Sequence, residues 1–374
     1  VTRLILTGDV LRPQDDAFRP AQSGNILWLH RLIRRPLAQA TGAEVEVLTW
    51  SAAGFDTPRL YELAGASPDI EGWVTLFDAP DLPAAAAAHL AAPFAGASAV
   101  IGFELAEIQK RLLSHLRIPW VDLNIHPYRF GPDVLFAVQT NHPDMLEALR
   151  RHHAEDHVFE PWADLIAATA VKVPLHRPIE ESCLVIGQTR VDRALISDGR
   201  LTDLRDVAAA LHAAIGPEAR VLFKPHPYNP DGFGLHDISL PLRRIREVAE
   251  NVYVLLAQPS LRQVLAVSSS VAAEARFFGV EGTFLGRSPF RIAHARGALG
   301  PLMHASVVDA WLSADFWRDM LAPVLPVTAR DDRRTTLGPN AIRNSLRQFW
   351  GYDEITFQLP FDLAAQRAEE RRGR

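Results

Sequence analysis

Short apolar runs alternate along the chain with longer amphipathic stretches, the rhythm of strands and helices taking turns. In the first half, Arg3–Leu6, Glu44–Thr49, Ala99–Phe103 and Pro119–Leu123 read as strands. Between and after them, Ile26–Ala40, Leu105–Leu116, Asp144–His152 and Pro161–Ala170 carry helical periodicity. A stretch with two prolines, Val173–Glu181, interrupts the pattern, and the rhythm then restarts. Ser182–Ile186, Arg220–Phe223, Val252–Leu255, Ala266–Val267 and Gly282–Leu285 read as strands. Leu201–Ala214, Leu240–Glu250, Ser260–Leu265 and Val271–Phe278 read as helices, the last ended by Gly279 in the position glycine favours after a helix. The expected fold is α/β: two doubly wound, Rossmann-like units, residues 1–175 and 176–330, facing a cleft. Residues 331–374 form an irregular C-terminal segment with one helix at Asn340–Trp350. No internal repeat is visible.

Composition narrows the function classes. The chain has 374 residues, 48% hydrophobic and 22% charged, which is globular and not disordered. Its net charge of −5 gives no basic excess for a polynucleotide backbone, so nucleic acid is not an expected partner. A single cysteine, Cys183, permits no internal disulfide and fits a reducing, cytoplasmic setting. The start of the chain reads as a buried strand and not as a signal peptide. The Ala-rich stretch 83–99 is broken by His89, Pro93 and Gly96, too often for a membrane span of ~20 apolar residues. Fourteen histidines show no convincing metal spacing, and no metal is expected. Residues 363–374 read as a short helix with a basic end, either solvated or in weak contact with an anionic membrane face.

Open parallel sheets bind ligands at the carboxyl ends of their strands, and three strand-end loops of the second half are chemically rich. After the strand at 182–186 come Gly187, Gln188, Thr189, Arg190, Val191 and Asp192. The Asp192 carboxylate suits a nucleophile, a general base or a helix cap. After the strand at 220–223 comes Lys224-Pro225-His226-Pro227, where prolines on both sides stiffen the loop that carries an imidazole. The alternative there is a stiff turn with a solvated histidine. The third loop, Ser268, Ser269 and Ser270, leads into a helix, where hydroxyls and free N–H groups suit an anion or simply cap the helix. Glu274, one turn further on, can accept hydrogen bonds from ribose hydroxyls. Ser268 follows His226 by about one β-α-β unit, so the two loops can be neighbours at one sheet edge. Neither the GxGxxG nor the GxxxxGK[ST] signature is present, so a dinucleotide fingerprint or P-loop is not supported.

This combination resembles the His-Pro and Ser-Ser signature of bacterial transferases that use CMP-activated sugars, the sialyltransferases and the Kdo transferases. Gly187-Gln188 followed by Asp192 is similar to the retaining β-Kdo transferases of capsule and lipopolysaccharide synthesis. The run from Pro119 to Phe130 resembles the N-terminal domain of that group. The recognisable motifs span about residues 100–290.

The resemblance implies a GT-B fold whose second unit binds the donor, CMP-β-Kdo. It implies a phosphate held by His226 and Ser268–Ser270, a ribose on Glu274, and Asp192 as a nucleophile that forms a glycosyl-enzyme adduct. Gln188, Arg190 and Lys224 join the donor site, and Lys224, Arg190 or Arg193 can pair with the carboxylate of the sugar. A glycan acceptor, expected to be lipid-linked and handled at the inner membrane face, would lie across the cleft near Glu104, Asp122, His126 and Arg129. Glu104 or Asp122 can deprotonate its hydroxyl. For Glu104 the competing role is a carboxylate at a helix start, and for Asp122 a buried structural hydrogen-bonder. Retention needs two inversions, which a carboxylate nucleophile supplies directly. Other readings of the same residues are an inverting, sialyltransferase-like enzyme, a UDP-sugar epimerase-like GT-B enzyme, and a non-catalytic nucleotide- or glycan-binding module.

Overall fold

A computed structural model describes residues 2–13, 22–49, 54–173, 175, 177–216, 220–226, 229, 231–238, 245–329, 337–338 and 340–346. The strands in chain order are β1 (Leu4–Gly8), β2 (Val45–Val47), β3 (Ala99–Phe103), β4 (Trp120–Ile125), β5 (Phe136–Thr140), β6 (Ser182–Ile186), β7 (Ile196–Ser197), β8 (Arg200–Leu201), β9 (Arg220–Lys224), β10 (Ile245–Glu247), β11 (Leu261–Ala266), β12 (Glu281–Phe284) and β13 (Ala305–Val307). They form a six-stranded sheet in the order β13-β5-β4-β3-β1-β2, a five-stranded sheet in the order β10-β9-β6-β11-β12, and a β7-β8 hairpin. The five-stranded sheet is parallel throughout; in the larger sheet β5 alone runs antiparallel to its neighbours β4 and β13. The central strands β1, β3, β4 and β6 are buried along their whole length, as strands covered by helices on both faces must be.

Two α/β sheets with their helices are present, and several elements differ from the expectation. Val252–Leu256 is a helix and not a strand; Asn251 caps it by accepting from the Tyr253 amide, and Tyr253 through Leu256 are all buried. The strand is instead Leu261–Ala266, where a short helix is expected. Short apolar runs look alike in either state, and here the cap decided between them. The expected helix Leu240–Glu250 overlaps the strand Ile245–Glu247, and residues 239–244 lie outside the described set. β13 returns from the second half to pair with β5 of the first sheet, and the helix Ala314–Leu321 packs on the helix Gln22–Thr41. Of the expected helix Asn340–Trp350 the structure describes Ala341–Ser345; residues 347–374, including the basic tail, lie outside the described set.

One apolar core joins the halves. Tyr128 and Phe130, just after β4, meet Phe277 at ring distances of 4.8 and 5.2 Å, and Phe130 meets Phe278 at 5.6 Å. Arg343 ties down the same loop, donating to the carbonyls of Arg129 and Gly131 at 2.8 Å each. Among the described residues no helix is long and apolar enough to cross a membrane.

Candidate functional site

The three chemically rich loops leave adjacent strands. Ile186 stands level with Lys224 of β9 on one side and with Ala266 of β11 on the other, so all three loops emerge at one sheet edge. Gly187 continues the ladder by donating its amide to the Lys224 carbonyl at 2.9 Å. A Cβ at Gly187 would stand 3.2 Å from that oxygen and from the His226 amide nitrogen, so any larger residue would make the two loops give by a few tenths of an ångström.

Gln188 organises this edge. Its side-chain carbonyl accepts from the Ser268 amide at 2.9 Å, its side-chain amide donates to the Ser268 hydroxyl at 3.0 Å, and its backbone carbonyl accepts from Asn229 Nδ2 at 2.7 Å. Asn229 in turn donates its amide to the His226 carbonyl at 2.8 Å. Gln188, Ser268 and Asn229 are all buried, so the network fixes the loops relative to one another. Pro227, which with Pro225 brackets His226, lies outside the described residues.

The serines divide their tasks. Ser268 is taken up by Gln188, and Ser269 accepts from the Val271 amide at 3.5 Å. Ser270 opens a helix of only four residues, Val271–Glu274, continued by a 3-10 turn to Phe278 and closed by Gly279 in the left-handed region. The helix-end field expected from the sequence is correspondingly short. The Ser270 hydroxyl makes no hydrogen bond among the described residues, and it lines a cavity of about 350 Å³ together with Ser268, Tyr128, Arg276, Arg291 and His294. Arg276 pairs with Asp156 and donates to the Tyr128 hydroxyl at 3.1 Å, while His294 Nδ1 lies 3.2 Å from the same Asp156. Sequence reasoning missed Arg276, which lies two residues past Glu274, and Arg291 and His294, which sit past β12 in irregular chain without a motif.

Glu274 has different partners from the ribose hydroxyls expected of it. It is 1% exposed and does not line the cavity. Its Oε1 accepts from the Arg129 amide of the first half and from the Tyr253 hydroxyl at 3.0 Å. Burial, only partly opposed by these donors and by the Arg129 charge, pushes its pKa up to about 7. Glu274 and Arg129 thus form a joint between the halves.

Asp192 caps the turn Arg193–Leu195, its Oδ1 accepting from the Ala194 amide at 2.9 Å. Across from it, Glu104 directly follows β3 with φ +53, the left-handed region where a non-glycine residue is strained. Its Oε2 lies 3.6 Å from Arg193 Nη1, and its Oε1 accepts from the Ile125 amide at 3.4 Å. Burial raises the Glu104 pKa and the nearby Asp192 charge adds to this, while Arg193 and Arg129 pull it back. The strand-end edges of the two sheets therefore meet here, with a carboxylate from each. Arg190 is 74% exposed and paired with Asp231.

Asp122 and His126 take structural places. Asp122 is fully buried, accepts from the Leu105 amide and Asn124 Nδ2 at 3.0 Å each, and pairs with Lys110 Nζ at 3.0 Å. Burial alone would raise its pKa, but Lys110 and Arg193 hold it below the usual value. His126 Nδ1 accepts from the Tyr128 amide at 3.0 Å, which leaves Nε2 as the protonated nitrogen, donating to Ser306 Oγ at 2.8 Å. Burial keeps this ring neutral, far below its usual pKa. Neither side chain is offered to an acceptor. Among the described residues no group of three or more His, Cys, Asp or Glu side chains is placed to hold a metal ion.

No protein-family model and no curated protein sequence matches the chain. Among solved structures, the beta Kdo 2,7 transferase of KpsC from Thermosulfurimonas dismutans is similar over 85% of this chain and 90% of its own, at 14% identity and a TM-score of 0.39. The beta Kdo 2,4 transferase of the same KpsC is similar over 50% of this chain and 68% of its own, at 20% identity and a TM-score of 0.34. Overlap at this level describes a general likeness of layout and no more.

Proposed function

We propose that the protein is a glycosyltransferase of GT-B type that takes an anionic sugar, Kdo, from its CMP ester and passes it to a glycan hydroxyl with retention. The observation that carries this reading is the meeting of Asp192, from the sheet whose loops suit the donor, with Glu104, from the opposite sheet. Asp192 attacks the anomeric carbon as the bond to the CMP phosphate breaks, and CMP leaves with the electron pair as a phosphate monoester. The acceptor hydroxyl then displaces Asp192, and Glu104 takes the hydroxyl proton. His226, Lys224 and Ser270 are the groups proposed for the phosphate, and Arg276 and Arg291 add positive charge along the cavity beside Ser270. The scheme uses no metal. The acceptor is proposed to be lipid-linked and met at the inner membrane face, in surface polysaccharide synthesis in the cytoplasm.

Intact mass of the protein incubated with CMP-Kdo tests the scheme: an adduct of one Kdo that is lost in Asp192→Ala is expected. An Asp192→Ala protein that still transfers the sugar would sink the retaining scheme. One observation favours an inverting variant: the Asp192 carboxylate is already occupied as a cap, whereas Glu104 stands where a base is needed. Transfer without an adduct would select it, and CMP binding without release from any CMP-sugar would select a binding module.

A further inference from the structure

Arg193 leaves the donor-side turn beside Asp192 and reaches Glu104 of the opposite sheet. It follows Asp192 directly, and the Asp192 cap fixes the turn from which both side chains leave. Its guanidinium lies 5.7 Å over the face of Phe77, and Nη1 is buried with no hydrogen-bond partner. The contact with Glu104 is an ion pair at 3.6 Å and not a hydrogen bond, so Oε2 keeps its lone pairs for a proton while still feeling a full positive charge. A bidentate hydrogen-bonded pair would have occupied both oxygens.

The charges around it make Arg193 decisive. Glu104 faces Arg193, Asp192 and Arg129. Arg193 itself faces Glu104, Asp122, Glu107 and Asp9, and the remaining nearby cation, Lys110, is engaged by Glu107 and Asp122. Without Arg193, a buried carboxyl on a strained backbone would sit beside Asp192 with only Arg129 to offset them, and protonation would be the cheapest relief.

We propose that Arg193 is a positioning residue: from the donor side of the cleft, next in the chain to Asp192, its guanidinium holds the Glu104 carboxylate of the acceptor side in place and favours its charged form. This rests on the transferase reading for its consequence, but the coupling of Arg193 to Glu104 is measurable without any substrate. With the full chain carrying carboxyl-13C glutamate, the Glu104 signal is assigned by its loss in Glu104→Gln and titrated in wild type, Arg193→Gln and Arg193→Lys. The midpoint is expected to rise by about one to three pH units in Arg193→Gln and to stay near wild type in Arg193→Lys, which keeps the charge. In CMP release from CMP-Kdo, the acid limb of kcat/KM is expected to move up with it in Arg193→Gln. There kcat falls about tenfold or more at neutral pH while KM changes less than about twofold. An unmoved Glu104 midpoint in a folded Arg193→Gln protein overturns the inference, as does a midpoint in Arg193→Lys that rises as far as in Arg193→Gln. A shifted midpoint in a protein that releases CMP from no CMP-sugar supports the coupling and places the failure in the transferase reading.

Discussion

Gln188 and Ser268, 80 residues apart in the chain, are joined by two hydrogen bonds that use both ends of one carboxamide. The carbonyl end takes the Ser268 amide and the amide end takes the Ser268 hydroxyl, which leaves the hydroxyl proton directed elsewhere. Removing the side chain in Gln188→Ala strands a buried N–H and a buried hydroxyl, and about 2 kcal/mol of stability is expected to go with it. The loss would appear in urea denaturation. CMP affinity by calorimetry is expected to drop about tenfold, because the Ser268–Ser270 loop is no longer held against the His226 loop. Unchanged CMP binding in a destabilised variant would remove Gln188 from the donor site.

Glu274 is expected to give the protein a pH dependence of definite sign. Its folded-state pKa of about 7 lies above its ordinary 4.5, so the folded form binds the proton more tightly than the unfolded form. Its contribution is therefore fully present below about 4.5 and is lost as pH rises through about 7, by on the order of 3 kcal/mol. Unfolding free energies at pH 5 and pH 8 for wild type and Glu274→Gln test this. The wild type should lose more between the two values than the variant does. Parallel pH dependences would show that Glu274 is an ordinary carboxylate.

Asp122 should behave in the opposite way. Its pKa is held below the usual 3.8, so its stabilisation is present at neutral pH and is lost as pH falls through the acid range. Asp122→Asn leaves Lys110 with Glu107 as its carboxylate partner and with the Gln139 side-chain oxygen, and an expected cost of about 2 to 3 kcal/mol follows from the weakened buried pair. Because Asp122 is not offered to the cleft, kcat of the folded variant should stay within an order of magnitude of wild type. A loss of several orders with the fold intact would return Asp122 to the list of bases.

Gly282 is a packing constraint on the cavity wall. A Cβ there would stand 1.8 Å from the Ala272 carbonyl oxygen, a backbone atom of the short helix after Ser270. Gly282→Ala must push that helix off β12, with an expected cost of about 3 kcal/mol or more and weakened CMP binding. Thermal unfolding of this variant beside Gly297→Ala, where the added Cβ meets nothing within 4 Å, separates crowding from a general effect of losing glycine.

Much of this layout was readable before any coordinates. Ala99–Phe103 is a five-residue apolar run and Ser182–Ile186 a four-residue one opened by a serine, and both are strands over those same bounds. The adjacency of the 187–192, 224–226 and 268–270 loops followed from strand-end motifs at β-α-β spacing. Val252–Leu256 and Leu261–Ala266 were interchanged because five or six apolar residues carry too little periodicity to separate helix from strand. The partners of Glu274 and His126 were invisible for a different reason. The Tyr253 and Ser306 hydroxyls reach them through tertiary packing, which no local pattern encodes. The same holds for Arg193 and Glu104, whose meeting depends on how two sheets are set against each other.

The return of β13 to the first sheet makes the chain indivisible. Ser306 caps the Nε2 of His126 and donates its amide to His153 Nδ1 at 3.0 Å, while its neighbours close the open side of β5. A fragment ending at residue 175 would expose β5 as a bare sheet edge, ready to zip onto the same edge of another copy, and would strand two buried imidazoles. Neither half is a module to be swapped or expressed alone, so chimaeras between such chains must exchange the Ala305–Val307 strand together with the first half.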